Sequence, residues 1–152
     1  MYYNYEIGKA KLNEKCFGIY KHLIVHKIGP LFRGFDDTFF APHSRYTMIN
    51  EIQLKNCRDL DVLAYSNEAG PTIISTKDRR QFFVTCHLEC ERMRLDLKFK
   101  RDLSKNLKIK PPLNYYPNSN INNLPILSWR MASQLFLSNW INYYVYESLL
   151  IL

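Results

Sequence analysis

Between residues 61 and 85 the chain alternates short β-rich segments with turn signals. Residues 61–65, 72–75 and 81–85 are divided by Asn67-Glu68-Ala69-Gly70-Pro71 and by Lys77-Asp78. Segments so short and so closely punctuated are too brief for helices and read as strands. Phe82-Phe83-Val84 is a continuous apolar run, which predicts a strand buried on both faces. Residues 17–25, rich in Phe, Ile, Tyr and Val, predict a further strand. Residues 1–5 predict the last turns of a helix ending near Gly8. Residues 29–47 hold Gly29-Pro30, Gly34, Asp36-Asp37 and Pro42 and predict a long loop, of the kind that usually carries function. Downstream, Met93/Leu97 and Leu95/Phe99/Leu103 recur at helical spacing and predict a helix over 91–103. Four of the seven prolines fall in 111–125, which predicts loop. Residues 129–146 are apolar and aromatic without a breaker and predict a helix on the core. Strands followed by helices predict an α/β layer architecture.

At 152 residues and 47% apolar, the chain has the size and composition of one globular domain and excludes a disordered tail. No apolar run approaches the roughly 18 residues that a membrane-spanning helix needs. The opening MYYNYEIGKAKL carries no apolar h-region of a secretory signal, so a cytoplasmic protein is expected. In that compartment the four cysteines, Cys16, Cys57, Cys86 and Cys90, are expected to be free. The final Leu149-Leu150-Ile151-Leu152 is apolar and is expected either to pack or to leave a sticky end.

Charge concentrates in residues 92–110, where Arg92, Arg94, Lys98, Lys100, Arg101, Lys105, Lys108 and Lys110 face only Asp96 and Asp102. That segment carries nearly all of the net +7. A cationic stretch suits a solvated helix face, a phosphorylated small molecule, nucleic acid or an anionic membrane. It lacks a recognisable nucleic-acid-binding motif, so no nucleic acid and no membrane partner is expected.

The sharpest local pattern is Thr85-Cys86-His87-Leu88-Glu89. In extended backbone, residues i and i+2 share a side, so His87 and Glu89 can face one cleft. A carboxylate beside an imidazole fixes its tautomer and stabilises the imidazolium, as in a nucleophile–His–acid triad. Cys86-His87-x-x-Cys90 resembles part of a zinc site, but a structural site needs four ligands. Cys16 and Cys57 form no second close pair, and no metal is expected. In 33–46, Arg33, Asp36-Asp37, His43, Ser44 and Arg45 put charge, imidazole and hydroxyl together. They suit either a small polar ligand or a loop held by Arg–Asp pairs.

RGFDDTFFAPHSRYT (33–47), QFFVTCHLE (81–89), FKRDL (99–103), NYYPN (114–118) and SNWINYYVY (138–146) occur in this order, after MYYNYEI and EKCFGIYKH (14–22). Together they resemble the sequence blocks of the homoserine O-acyltransferases, which succinylate or acetylate homoserine in methionine biosynthesis. The resemblance runs from residue 1 to about 146. It implies an α/β, class I glutamine-amidotransferase-like fold (flavodoxin-like, three-layer), incomplete here. Residues 1–152 would be the C-terminal part of a single acyltransferase domain.

It also implies acyl transfer from succinyl-CoA or acetyl-CoA to a cysteine and then to the L-homoserine hydroxyl. The acyl-CoA is a co-substrate and no bound cofactor is implied. Carried over, His87 and Glu89 are the catalytic pair, and Lys15, Ser44 and Arg101 bind substrate. The resemblance places the nucleophilic cysteine ahead of residue 1, so this chain is expected to be inactive alone. A homodimer or an N-terminal fragment is the expected partner. Two other readings are a non-catalytic remnant or subunit and a basic nucleic-acid-binding module. Cys86, Leu88 and Cys90 stand where the family usually has Gly, Pro and Tyr.

Overall fold

A computed structural model describes residues 1–27 and 29–146. The apolar 149–152 segment lies outside the described residues. The framework is a five-stranded sheet in the order β2-β1-β3-β4-β5, with every adjacent pair antiparallel. Its strands are β1 (Lys9–Ile24), β2 (Thr38–Ile49), β3 (Leu60–Ser66), β4 (Gly70–Thr76) and β5 (Phe82–Val84). The helices are α1 (Tyr2–Tyr5), α2 (Glu51–Asn56), α3 (Arg94–Ser104) and α4 (Arg130–Trp140), and α4 continues as a π-helical stretch over Ile141–Tyr146.

The helices expected over 91–103 and 129–146, and the loop over 111–125, are present. The long loop expected over 29–47 is not: its second half is β2. The reason is Pro42. It lies on the sheet's edge strand, opposite Ile19 of β1, where a residue without an N–H costs no ladder bond. The strand buried on both faces is also not the expected one. Phe82 and Phe83 of β5 are half-buried and Val84 is exposed, whereas every residue of β4 is buried. The first helix ends at Tyr5, with Glu6 rather than Gly8 in the left-handed region (φ 55°). Helix α2 escaped the sequence reading. It is short, and Asn50 caps it by accepting from the Ile52 and Gln53 N–H groups.

Residues of β1 and β2 alternate between two faces. On one face Phe17 and Ile19 pack with Leu95 and Phe99 of α3 and with Tyr115, Tyr116 and Trp129. On the other, Phe39 and Ala41 join Leu63, Ile73, Cys86, Leu88 and Phe136 of α4. The sheet is thus covered on both sides, with α3 packed on β1. Leu113 completes the first layer by bridging Gly18 in parallel, through Ile19 N–H to Leu113 O (2.8 Å) and Leu113 N–H to Phe17 O (3.0 Å). Gly18 is required at that approach: its φ is +148°, and a Cβ there would lie 2.4 Å from the Leu113 carbonyl oxygen. No described helix is long and apolar enough to cross a membrane, and all four cysteines are free thiols.

Candidate active site

The His87 segment is a turn after the edge strand β5, not an extended strand end. It is pinned from several elements. Thr85 N–H donates to Thr72 O of β4 (2.9 Å), and His87 N–H donates to Pro42 O of β2 (2.8 Å). Cys90 N–H closes the turn onto His87 O (3.1 Å), and the Trp129 indole donates to Cys90 O (2.8 Å). The Cys86 and Leu88 side chains are buried in the core. They anchor the turn. Between them His87 is about one-third exposed and Glu89 is exposed, and His87 Nδ1 lies 2.9 Å from Glu89 Oε1. The two residues paired in the sequence are thus hydrogen-bonded to each other, through a turn rather than through extended backbone.

This pair opens on a cavity of about 400 Å³ lined by His87, Glu89, Cys90, Glu91, Arg94 and Lys98. Arg94, Lys98 and Arg101 follow one another at helical spacing along α3, which runs from this cavity toward the second cluster. There Lys15 Nζ donates to Asp102 Oδ2 (2.8 Å), and Arg101 donates through Nε (2.9 Å) and Nη2 (2.6 Å) to Asp102 Oδ1. Asp102 and Lys15 are nearly inaccessible, whereas Arg101 keeps 55% of its side chain exposed. The Lys15 hydrogen bond holds the Asp102 carboxyl below its usual range; burial opposes this and Arg101 reinforces it. Lys15 also sits over the Phe17 ring, 4.2 Å from its centroid, and near Tyr46.

The structure places Ser44 in β2. It is paired with Phe17 in the β1–β2 register. It shares a face of β2 with Pro42, which holds His87, and with Tyr46, which meets Lys15. Lys15 and Arg101 thus converge on one carboxylate, and His87 and Glu89 form a second pair. Asp102 escaped the sequence reading. It was visible inside FKRDL, and the signal was an acid amid eight cations.

The remaining cations are largely engaged. Lys100 pairs with Asp96 (2.9 Å), Lys110 with Glu14 (2.8 Å), and Arg92 donates to Pro125 O (3.2 Å). Arg–Asp pairing, one of the two readings of the 33–46 segment, is absent there among the described residues. Arg33 donates to the Tyr143 hydroxyl (2.9 Å), and Asp37 pairs with Lys27 (2.7 Å). The Cys-His-Cys reading also changes. Burial pushes the Cys86 thiol up to about 12, and that side chain belongs to the core rather than to the His87 cavity.

A family model described as homoserine O-succinyltransferase matches residues 1–150. A homoserine O-acetyltransferase of Methanomassiliicoccus intestinalis is 49% identical over 147 residues, 97% of this chain and 48% of its own length. One from Lysinibacillus sphaericus is 42% identical over 147 residues, 97% of this chain and 47% of its own length. The chain spans about half the length of the curated relatives it matches. Among solved structures, a glutamine amido transferase from Methylobacillus flagellatus aligns with a TM-score of 0.60 at 14% identity, covering 89% of this chain and 55% of that one. A glutamine amidotransferase from Thermotoga maritima aligns with a TM-score of 0.59 at 14% identity, covering 89% and 54%. The fold is therefore of the glutamine-amidotransferase type, and the described residues supply an antiparallel part of it.

Proposed function

The chain belongs to the homoserine O-succinyltransferase family, and on that premise we propose that it supplies the base and the amino-acid grip of a homoserine O-acyltransferase. The observation that carries this reading is the His87 Nδ1–Glu89 Oε1 hydrogen bond at 2.9 Å, held in a cavity lined by Arg94 and Lys98. Glu89 accepts a hydrogen bond from Nδ1–H, which leaves Nε2 unprotonated and free to take the proton of the homoserine hydroxyl. The hydroxyl oxygen then attacks the acyl carbon of a thioester on the enzyme, and the cysteine sulfur leaves. Glu89 stabilises the imidazolium formed.

Arg101 gives Asp102 its Nε and one Nη2 proton and keeps other donors for a substrate carboxylate. Asp102, itself held by Lys15, keeps it in place, and Ser44 of β2 offers a hydroxyl. Acetyl-CoA is the donor we favour, because the relatives that are 42% and 49% identical are named acetyltransferases. Free thiols suit a reducing cytoplasm, and the product suits methionine biosynthesis.

Neither Cys86 nor Cys90, the cysteines beside His87, suits the role of acyl carrier, and the resemblance places the nucleophile ahead of residue 1. Cys86 is buried, burial also raises the Cys90 thiol, and low-pKa thiols are the reactive ones. The 152 residues alone are therefore expected to show no transfer from acetyl-CoA or succinyl-CoA to L-homoserine. Turnover by the purified chain that His87→Ala abolishes would overturn that expectation. A subunit that needs an N-terminal partner is the second reading. It is favoured by apolar side chains left at the surface, among them Leu97 (58% exposed), Leu124 (64%) and Met131 (77%).

A further inference from the structure

The turn that holds the catalytic candidates also brings a third metal-ligating side chain to them. One ligand atom each from His87, Glu89 and Cys90 lies within 4.8 Å of the others. In a tetrahedral zinc site, bonds of about 2.0 Å to nitrogen and oxygen and about 2.3 Å to sulfur put ligand atoms about 3.3–3.8 Å apart. Small rotations of the side chains span the difference. We propose that His87, Glu89 and Cys90 form a binding site for a divalent zinc-class cation, with solvent as the fourth ligand.

Three features support the site. The ligands come from within residues 87–90, whose backbone is already fixed by the hydrogen bonds of His87 N–H to Pro42, of Cys90 N–H to His87 and of the Trp129 indole to Cys90, so little ordering remains to be done. The donor set of imidazole, carboxylate and thiol is one that zinc-class ions select over calcium or magnesium. The charges also balance: on binding, Cys90 releases its thiol proton to solvent, and thiolate and Glu89 together neutralise the dication. Glu91 stands in the same cavity against Arg94 and Lys98. Counting cysteines and histidine in sequence misses this site, because Cys86 turns into the core and the third ligand is Glu89.

The consequence for catalysis rests on the acyltransferase reading: a cation holding His87 removes the base, so the site would be inhibitory. Binding itself does not rest on that reading and is measured without substrate. Co²⁺ titrated into the reduced 152-residue chain is the direct probe. The expected result is a one-to-one complex with a thiolate-to-cobalt charge-transfer band, displaced by Zn²⁺. Cys90→Ser abolishes the band, and Glu89→Gln, an exposed change that spares the fold, weakens binding about tenfold or more. Cys86→Ser leaves the band in place. No thiolate band at millimolar Co²⁺, a band that survives Cys90→Ser, or unchanged affinity in Glu89→Gln would each overturn the site.

Discussion

Asp102 is the residue on which the two cationic candidates depend. Its carboxylate accepts from Lys15 and Arg101 while only 4% of its side chain is exposed. Asp102→Asn would leave the Lys15 ammonium buried without its counter-charge. Breaking one side of a buried pair costs about 3 kcal/mol, so the denaturation midpoint should fall clearly below wild type. A midpoint within error of wild type would show that the pair contributes nothing net. His22 and His43 are the second residue-scale feature. They lie in the sheet interior with their Nε2 atoms 3.0 Å apart. Burial lowers His22 from its ordinary 6.5 to about 4 and His43 to about 2. The neighbouring Arg45 lowers both, His22 and His87 further lower His43, and Glu68 opposes the shift in His22. The folded chain therefore refuses protons that the unfolded chain accepts. Stability contributed by the neutral pair is full above pH 6.5 and lost as pH falls toward 4. The carboxyls of Asp102 and Asp61, both held below 3.8, keep their contribution until lower pH and then lose it. Thermal melts should show the melting temperature falling first in the histidine window, before carboxylates titrate. A flat profile there would contradict neutral burial of the pair.

The elements differ in how well sequence announces them. Helix α3 was legible because Leu95 and Phe99 repeat at helical spacing and are buried. Its other apolar pair, Met93 and Leu97, is exposed, and the inward face is completed by Asp96 and Asp102. Asp96 is satisfied by the Tyr116 hydroxyl at 2.7 Å and by Lys100. Local pattern cannot reveal such tertiary partners. β2 was illegible for the opposite reason, since Pro42 reads as a breaker unless its strand is known to lie at an edge. The same placement frees the Pro42 carbonyl for His87, so the misread residue positions the candidate site. His87 and Glu89 were found because their spacing is local, but their turn depends on Thr72, Pro42 and Trp129, which lie far away in sequence. At Gly18 the fold makes a sharp demand. Gly18→Ala should destabilise the chain by on the order of 3 kcal/mol, because the Cβ would meet the Leu113 backbone. Gly8→Ala is the internal control, since a Cβ there would meet the Gln53 Oε1 atom at an ordinary 3.5 Å. Equal urea midpoints for the two variants would refute the close-approach role of Gly18.

At the scale of the whole molecule, one sheet covered on both faces carries both the proposed base pair, His87 and Glu89, and the proposed grip of Lys15, Arg101 and Asp102. The chain spans about half the length of its curated relatives, and the proposed reaction also needs an acyl-carrying thiol. Exposed Leu124, Met131 and Leu97 fit a surface that further protein covers, so light scattering should show self-association of the isolated chain that a complementary N-terminal half suppresses. A monodisperse isolated monomer would count against the partner-dependent reading. The central claim is that His87 serves as the base for homoserine. It is tested most directly by joining the N-terminal half of an acetyltransferase relative to this chain and assaying transfer from acetyl-CoA to L-homoserine, with and without His87→Ala. The account predicts turnover in the joined protein and a loss of roughly a thousandfold or more in kcat on His87→Ala. Undiminished turnover with alanine at that position would contradict it.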